Sequence, residues 1–473
     1  MASPNISFDT IPSSIRKPGA YIEFNIKLAV RTLPSNKSRL LMIGQRLATG
    51  LATVGLPFKV FSDDDAAHYF GRGSMLHLMI KAAITANRYV EIEAVGFDDA
   101  AGSAAATGTV TFTGAATDAG VATIKVAGRQ VQVAVQSGQT AANVAAAILP
   151  LLTAQVAWPV ESSVAAGVVT LAARNKGTVG NGVAYEASIT APGMGVTVVQ
   201  PSGGAVDPDI TATLASVFSS SDEIIVTPYS DQTSLTVLRT HLNDRSGALE
   251  QRGCVGIYAS RGTLSAATTL AGQINSGRTV CALLPGTTTS AYELAAAFAA
   301  VVAFEEDPAM PLNSLALIGV QPPNLASQLG RTEQEVCLAN GVTPLEVGPG
   351  QTVQIVRAVT TYTYNTQGVT DISLLNLNTI RTLDYVRKAC RDRIALRFPR
   401  GKLSNRTPAK VRSELLDVLY KLEELEIIES VDEHKDGLIV ERDSQDPDRL
   451  NARIPCDVVN GLHVFAGRID LLL

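Results

Sequence analysis

The chain has little of what most enzymes and exported proteins carry. Of its 473 residues only 5 are cysteine. No two have C-x-x-C spacing, which excludes a zinc ribbon and a disulfide framework. Cys254, Cys281, Cys337, Cys390 and Cys456 read as small buried hydrophobes of a reducing compartment. There is no G-x-S-x-G, no H-E-x-x-H and no Walker loop. No segment approaches the roughly 20 apolar residues of a membrane helix. Residues 1–15 lack a basic region followed by an apolar one, so no export signal is expected and the chain is read as folding in a cytoplasm. Charged residues make up 18%, and the net charge of -5 gives no reason to expect nucleic acid.

Residue groups that resemble sites have simpler readings. Asp63, Asp64 and Asp65 follow Ser62, so they suit the first turn of a capped helix, where carboxylates complement the helix dipole. Glu305-Glu306-Asp307-Pro308 reads as the polar end of an Ala-rich helix stopped by proline. Gly71-Arg72-Gly73 lacks the third glycine of a dinucleotide loop and follows a helix. The 5 histidines are isolated from one another. Catalytic residues, cofactors and metals are therefore not expected.

What is present is organisation. Leu40-Leu41-Met42-Ile43, Phe58 to Phe61, Tyr89 to Val95, Asp222 to Pro228, Gly253 to Tyr258 and Val280 to Leu284 read as strands. Helical segments after Ser62 and Ser74, from Ser234 to Leu242 and from Ala291 to Phe304 alternate with them, the mark of an α/β core. Val353 to Thr363 is strand-like. Between 101 and 205 the chain has only seven charges, Asp118, Lys125, Arg129, Glu161, Arg174, Lys176 and Glu186. There Ala127-Gly128 joins two alternating runs as a hairpin, Thr140 caps a helix to Leu152, and Val168 to Ala172 is a strand. The expected fold class is an α/β core plus an α+β C-terminal domain. An inserted β-rich domain, Ig-like or a small β-sandwich, and extended terminal arms complete it. The expected boundaries are 1–19 for the N-terminal arm, 20–95 and 207–370 for the discontinuous core, and 96–206 for the insertion. The C-terminal domain is expected at 371–455 and a C-terminal strand arm at 456–473. An insertion leaves and rejoins its host at neighbouring points, so this one should project outward.

Both ends look like strands with no partner of their own. Pro18 and Gly19 lead into a segment carrying Tyr21, Ile22 and Phe24. Residues 461–473 carry Leu462, Val464, Phe465, Ile469 and Leu471 to the end. An apolar strand with open backbone groups is a template for another chain. Charge is also uneven near the C-terminus. Residues 381–412 hold eleven basic and two acidic side chains, and 414–448 reverses the balance. Arg391, Arg393, Arg400, Lys402, Arg406, Lys410 and Arg412 can form a solvated face, contact an acidic protein surface, or bind nucleic acid. Scarce aromatics and the acidic neighbour count against the last.

Several segments together resemble contractile tail sheath proteins of bacteriophages, the Mu-like branch in particular. They are Lys17-Pro18-Gly19-Ala20-Tyr21, Asp222 through Asp231, Glu305-Glu306-Asp307-Pro308-Ala309-Met310-Pro311-Leu312, Leu338 through Leu345, Arg357 through Tyr362, and Val464-Phe465-Ala466-Gly467-Arg468-Ile469. The resemblance implies a structural subunit and no enzyme. It implies stacked hexameric rings around a tail tube, knitted by strand exchange of the terminal arms, which contract to drive the tube through the host envelope. It also implies partners in the tube, baseplate and tail terminator proteins, a C-terminal domain facing the tube, and assembly in the host cytoplasm into the virion tail, with no membrane insertion. On that view the seven basic residues face the tube or the acidic face of an adjacent subunit. A tailocin or another cellular contractile machine fits as well. An α/β enzyme with a β-rich appendage would need a polar pocket that no motif marks. A surface adhesin would need an export signal.

Overall fold

The computed structural model describes residues 16–19, 21, 33–34 and 36–471. Expected arm residues Ile22 and Phe24 lie outside the described residues, as does most of the segment 20–32. Pro18, Gly19 and Tyr21 are described and exposed, and the Tyr21 hydroxyl donates to the Lys17 carbonyl over 3.0 Å.

The first described elements are β1 (Arg39–Gln45), β2 (Pro57–Val60), α1 (Asp63–Phe70), α2 (Met75–Ala86) and β3 (Glu91–Phe97). Then come β4 (Thr107–Gly114), β5 (Gly120–Val126), β6 (Arg129–Val135), α3 (Ala141–Thr153), β7 (Val160–Ala165), β8 (Val168–Ala173), β9 (Tyr185–Ile189) and β10 (Met194–Ser202). The α/β alternation resumes with α4 (Thr211–Ser216), β11 (Ile224–Val226), α5 (Gln232–Ser246), β12 (Val255–Ser260), α6 (Leu264–Ile274), β13 (Thr279–Leu283), α7 (Ala291–Phe304), α8 (Arg331–Ala339), β14 (Thr343–Val347) and β15 (Val353–Ile355). The chain continues through α9 (Leu377–Arg397), α10 (Thr407–Glu424), β16 (Ile428–Glu429), α11 (Val431–His434), β17 (Ile439–Arg442), β18 (Leu450–Arg453) and β19 (Asp457–Val458).

Eight strands form the central sheet in the order β15-β14-β13-β12-β11-β1-β3-β2. The six inner strands run parallel, and the edge strands β2 and β15 are antiparallel. Inner strands of such a sheet are covered on both faces, so they are apolar at successive positions. Leu40 and Met42 of β1 join α2 and α7 in one cluster, while Leu41 and Ile43 join α5 and α6 in another. Helix starts follow the expected caps. Ser62 accepts from the Asp65 amide, Ser74 from His77, and Thr140 from Asn143. Helix α5 starts earlier than expected because Asp231 caps it, accepting from the Ser234 amide.

Between β3 and α4 lie two small antiparallel sheets, β10-β4-β8-β7 and β6-β5-β9. With α3 they enclose a separate apolar cluster that includes Phe112, Ile124, Ile148, Trp158 and Leu171. Ala127 (φ 48°) and Gly128 (φ 77°) make the β5–β6 turn, the left-handed pair that matches strand twist. The segments leading in and out pair directly. Ala104 and Ala205 exchange backbone hydrogen bonds of 3.1 and 3.3 Å.

Two strand expectations end differently. The strand from Val353 stops at Ile355. Beyond it the Thr343 hydroxyl takes the place of a ladder partner, accepting from the Val359 amide (2.9 Å) and donating to its carbonyl (3.0 Å). At the other end, β19 pairs with β16, but residues 459–471 form no strand and pair with none among the described residues.

Candidate intersubunit surfaces

In open α/β sheets ligands sit outside the carboxyl ends of the strands. Here the chain itself fills that crevice. The fully buried Gln45 side chain donates to Asp99 and to the Lys176 carbonyl, each at 2.7 Å. Asn175 donates to the Arg46 carbonyl (3.0 Å) and accepts from the Met75 amide (2.8 Å). Arg129 of β6 pairs with Glu293 of α7, and burial of the guanidinium is outweighed by that carboxylate, which holds its pKa up. A space of about 300 Å³ remains beside Tyr229, Arg261, Ser290 and Tyr292. No cluster of three metal-ligating residues occurs among the described residues. The Glu305–Asp307 carboxylates cap their own turn, accepting from the Asp307 and Ala309 amides.

The basic block divides sharply. Arg393 on α9 is buried at 4% exposure and pairs with Glu414 and Asp417 of α10. Those two carboxylates hold its pKa up against the burial that would lower it. Arg412 donates to the Leu438 and Lys435 carbonyls at 2.8 Å each. Arg391 lies beside Asp392 and donates to the Gln251 carbonyl. Arg400, Lys402, Arg406 and Lys410 are exposed and make no ion pair among the described residues. They occupy the turn between α9 and α10 and the first turn of α10.

Sequence reasoning missed the contact that docks α9 on the core. Arg278 grips Asp384 with both arms of its guanidinium (2.7 and 2.9 Å), Arg387 adds 2.8 Å, and Gly253 leaves room for that carboxylate. The pair is 106 residues apart, so no local pattern signals it.

After Val459, whose amide donates to the Ile427 carbonyl, the chain leaves the body. His463 makes a 3.0 Å contact with Asn313, and beyond it the side chains stand free. Phe465 is 87% exposed and Ile469 98%; Leu462, Val464 and Leu471 are similarly open. The β17–β18 hairpin is two-stranded, so each strand has one unpaired edge among the described residues.

Residues 203–361 match the phage tail sheath protein central domain, and residues 369–471 match the phage tail sheath C-terminal domain. The chain is 35% identical to the Mu-like prophage FluMu tail sheath protein of Haemophilus influenzae, over 99% of this chain and all of that one. The chain belongs to the phage tail sheath family. It is a structural protein of contractile tails and not an enzyme. Its fold is shared with a sheath tail protein of Listeria innocua (TM-score 0.54, 14% identity, covering 92% of this chain and 94% of that one). It is shared also with the contracted sheath complex of an extracellular contractile injection system, PVC (TM-score 0.52, 9% identity, covering 97% and 98%). In this sheath protein the two matched stretches hold the second half of the α/β sheet, the α9–α10 pair and the exposed tail. The two small sheets before Gly203 lie outside both matches.

Proposed function

We propose that the chain polymerises as stacked hexameric rings around a tail tube, each subunit lending its terminal strands to its neighbours. The observation that carries this reading is the free apolar tail, in a chain that also has an unfinished hairpin. Leu462, Val464, Phe465, Ile469 and Leu471 have no place in their own fold, and β17 and β18 each have an open edge that accepts a strand. Backbone ladders of that kind survive rotation of the bodies they join. The bodies can then trade surface contacts during contraction, which drives the tube through the host envelope. Pro18, Gly19 and Tyr21 belong to the second arm. Residues 96–206 are an inserted, outward-facing sandwich domain, and 371–455 faces inward. The exposed part of the basic block, Arg400 to Lys410, meets the tube or an adjacent subunit. Partners are further copies, the tube, the baseplate and the tail terminator, in a virion tail.

The test is electron microscopy of the purified chain with and without residues 459–473. The full chain should form striated tubes of fixed diameter, and the truncated chain should stay folded and monomeric. Intact tubes from the truncated chain would refute the strand-exchange reading. The likeness to an injection-system sheath supports a second reading, in which the same polymer serves a cellular contractile machine.

A further inference from the structure

Helix α10 is charged against its own dipole at both ends. The amino end of a helix favours anions and the carboxyl end favours cations. The first turn of α10 has no acidic residue and no side-chain cap, and it carries Lys410 just after Arg406, the residue at the cap position. Exposed Arg400 and Lys402 lie in the turn before it. At the far end stand exposed Glu424, Glu426 and Glu429. The single cation of the last turn, Lys421, is engaged by Asp417 at 3.2 Å. With 18 residues the helix is a rod of about 27 Å, basic at its start and acidic at its end.

The interior of the fold accounts for neither end. Where opposite charges of this region can meet within the chain, they do. Arg393 and Arg397 reach Glu414, Lys435 reaches Asp432, and Arg449 reaches Asp443. Arg400, Lys402, Arg406 and Lys410 at one end make no ion pair among the described residues, and neither do Glu424, Glu426 and Glu429 at the other. Glu423 differs, because its carboxylate accepts from the Val431 amide and belongs to the fold.

We propose that the basic start of α10 docks on the acidic end of α10 in a second copy of this chain. A contact between two different patches of identical subunits is head-to-tail, and repeats of it close into a ring or run on as a helix. The contact satisfies both ends at once and restores the charge that each helix end lacks. This inference rests on the polymer reading and names one of its contacts. It assigns the exposed basic residues to a neighbouring subunit and not to the tube.

The test is a charge swap in the full chain without tube present. Arg406→Glu with Lys410→Glu reverses the basic end, and Glu424→Lys with Glu426→Lys reverses the acidic end. Each reversal alone should raise the critical concentration for polymerisation at least about tenfold, because like charges then face each other across the contact. The chain carrying all four substitutions should polymerise again near the wild-type concentration. Circular dichroism checks folding, and neither reversal should lower the helix content of the monomer, since each now agrees with the dipole. Single reversals that polymerise normally, or a fourfold variant that does not recover, would overturn the proposal. A basic-end reversal that forms free tubes but fails to coat tail tube would overturn it in favour of a tube contact. Failure of the wild-type chain to polymerise would sink the sheath polymer reading itself and this contact with it.

Discussion

Arg393→Met probes how much of the basic block is internal scaffolding. The arginine is 4% exposed, and its guanidinium faces Glu414 (3.2 Å) and Asp417. Methionine can follow the same apolar path between α9 and α10 but leaves two carboxylates with reduced compensation. Removing one partner of a fully buried pair costs about 3–5 kcal/mol. Here Glu414 and Asp417 are 22% and 27% exposed, and Arg397 and Lys421 remain beside them. The cost should therefore fall to about 2–3 kcal/mol. If α9 and α10 open as one unit, their slowest amides should exchange about 30- to 150-fold faster. Adding Glu414→Gln and Asp417→Asn should recover most of the loss, because the charges left behind are then gone. Exchange within about threefold of wild type in Arg393→Met would refute the reasoning, since the arginine would then be replaceable like any solvated cation.

Two further outcomes follow from buried groups. His241 on α5 packs edge-on against Phe218 with centroids 5.7 Å apart, and burial, then the Arg245 charge, lower its pKa to about 4. Its unfolded value is near 6.5, so its contribution to stability is complete above that pH and is lost as pH falls towards 4, by about 3 kcal/mol. Urea midpoints across that window should slope in the wild type, and the slope should be smaller in His241→Leu; equal slopes would count against it. Gly253→Ala would place a methyl 2.4 Å from the Asp384 carboxyl, forcing it off Arg278. That should loosen the first half of α9 by about 2 kcal/mol, read as faster exchange there, with β1 unaffected; unchanged exchange in α9 would show that the docking rests on other contacts.

The sequence made the α/β body legible because its signals are local. Apolar runs mark β1, β11, β12 and β13, and Ser62, Ser74 and Thr140 cap the helices they precede. Loss of charge marks the two small sheets, and Ala127-Gly128 marks their hairpin. What stayed hidden depends on pairs distant in sequence. Seven basic residues in a row look equivalent in one dimension, yet antiparallel packing of α9 on α10 draws Arg393 inward while the turn between them leaves Arg400 and Lys402 outside. Arg412 is claimed by the carbonyls of Lys435 and Leu438 in the turn after α11, which no charge count anticipates. The tail is the reverse case. Its strand-like pattern is plain, but a strand needs a ladder, and its own chain supplies none among the described residues.

Local rules broken without internal compensation are where function is expected. In this chain they concentrate between 400 and 471. The central sheet breaks few of them, for residues 314–317 pair along the outer side of β15 and the opposite edge strand, β2, is only four residues long. The C-terminal stretch breaks three. It exposes large apolar side chains on a tail, leaves both hairpin strands with an open edge, and charges α10 against its dipole. Each of these costs the isolated subunit something, and in the proposed polymer each would be relieved by a neighbour of the same kind. There a tail would find a ladder, an edge a strand, and a basic helix start an acidic helix end. Three independent faults with one shared remedy argue that the C-terminal region was shaped for the assembled state, with the α/β body as the load it carries.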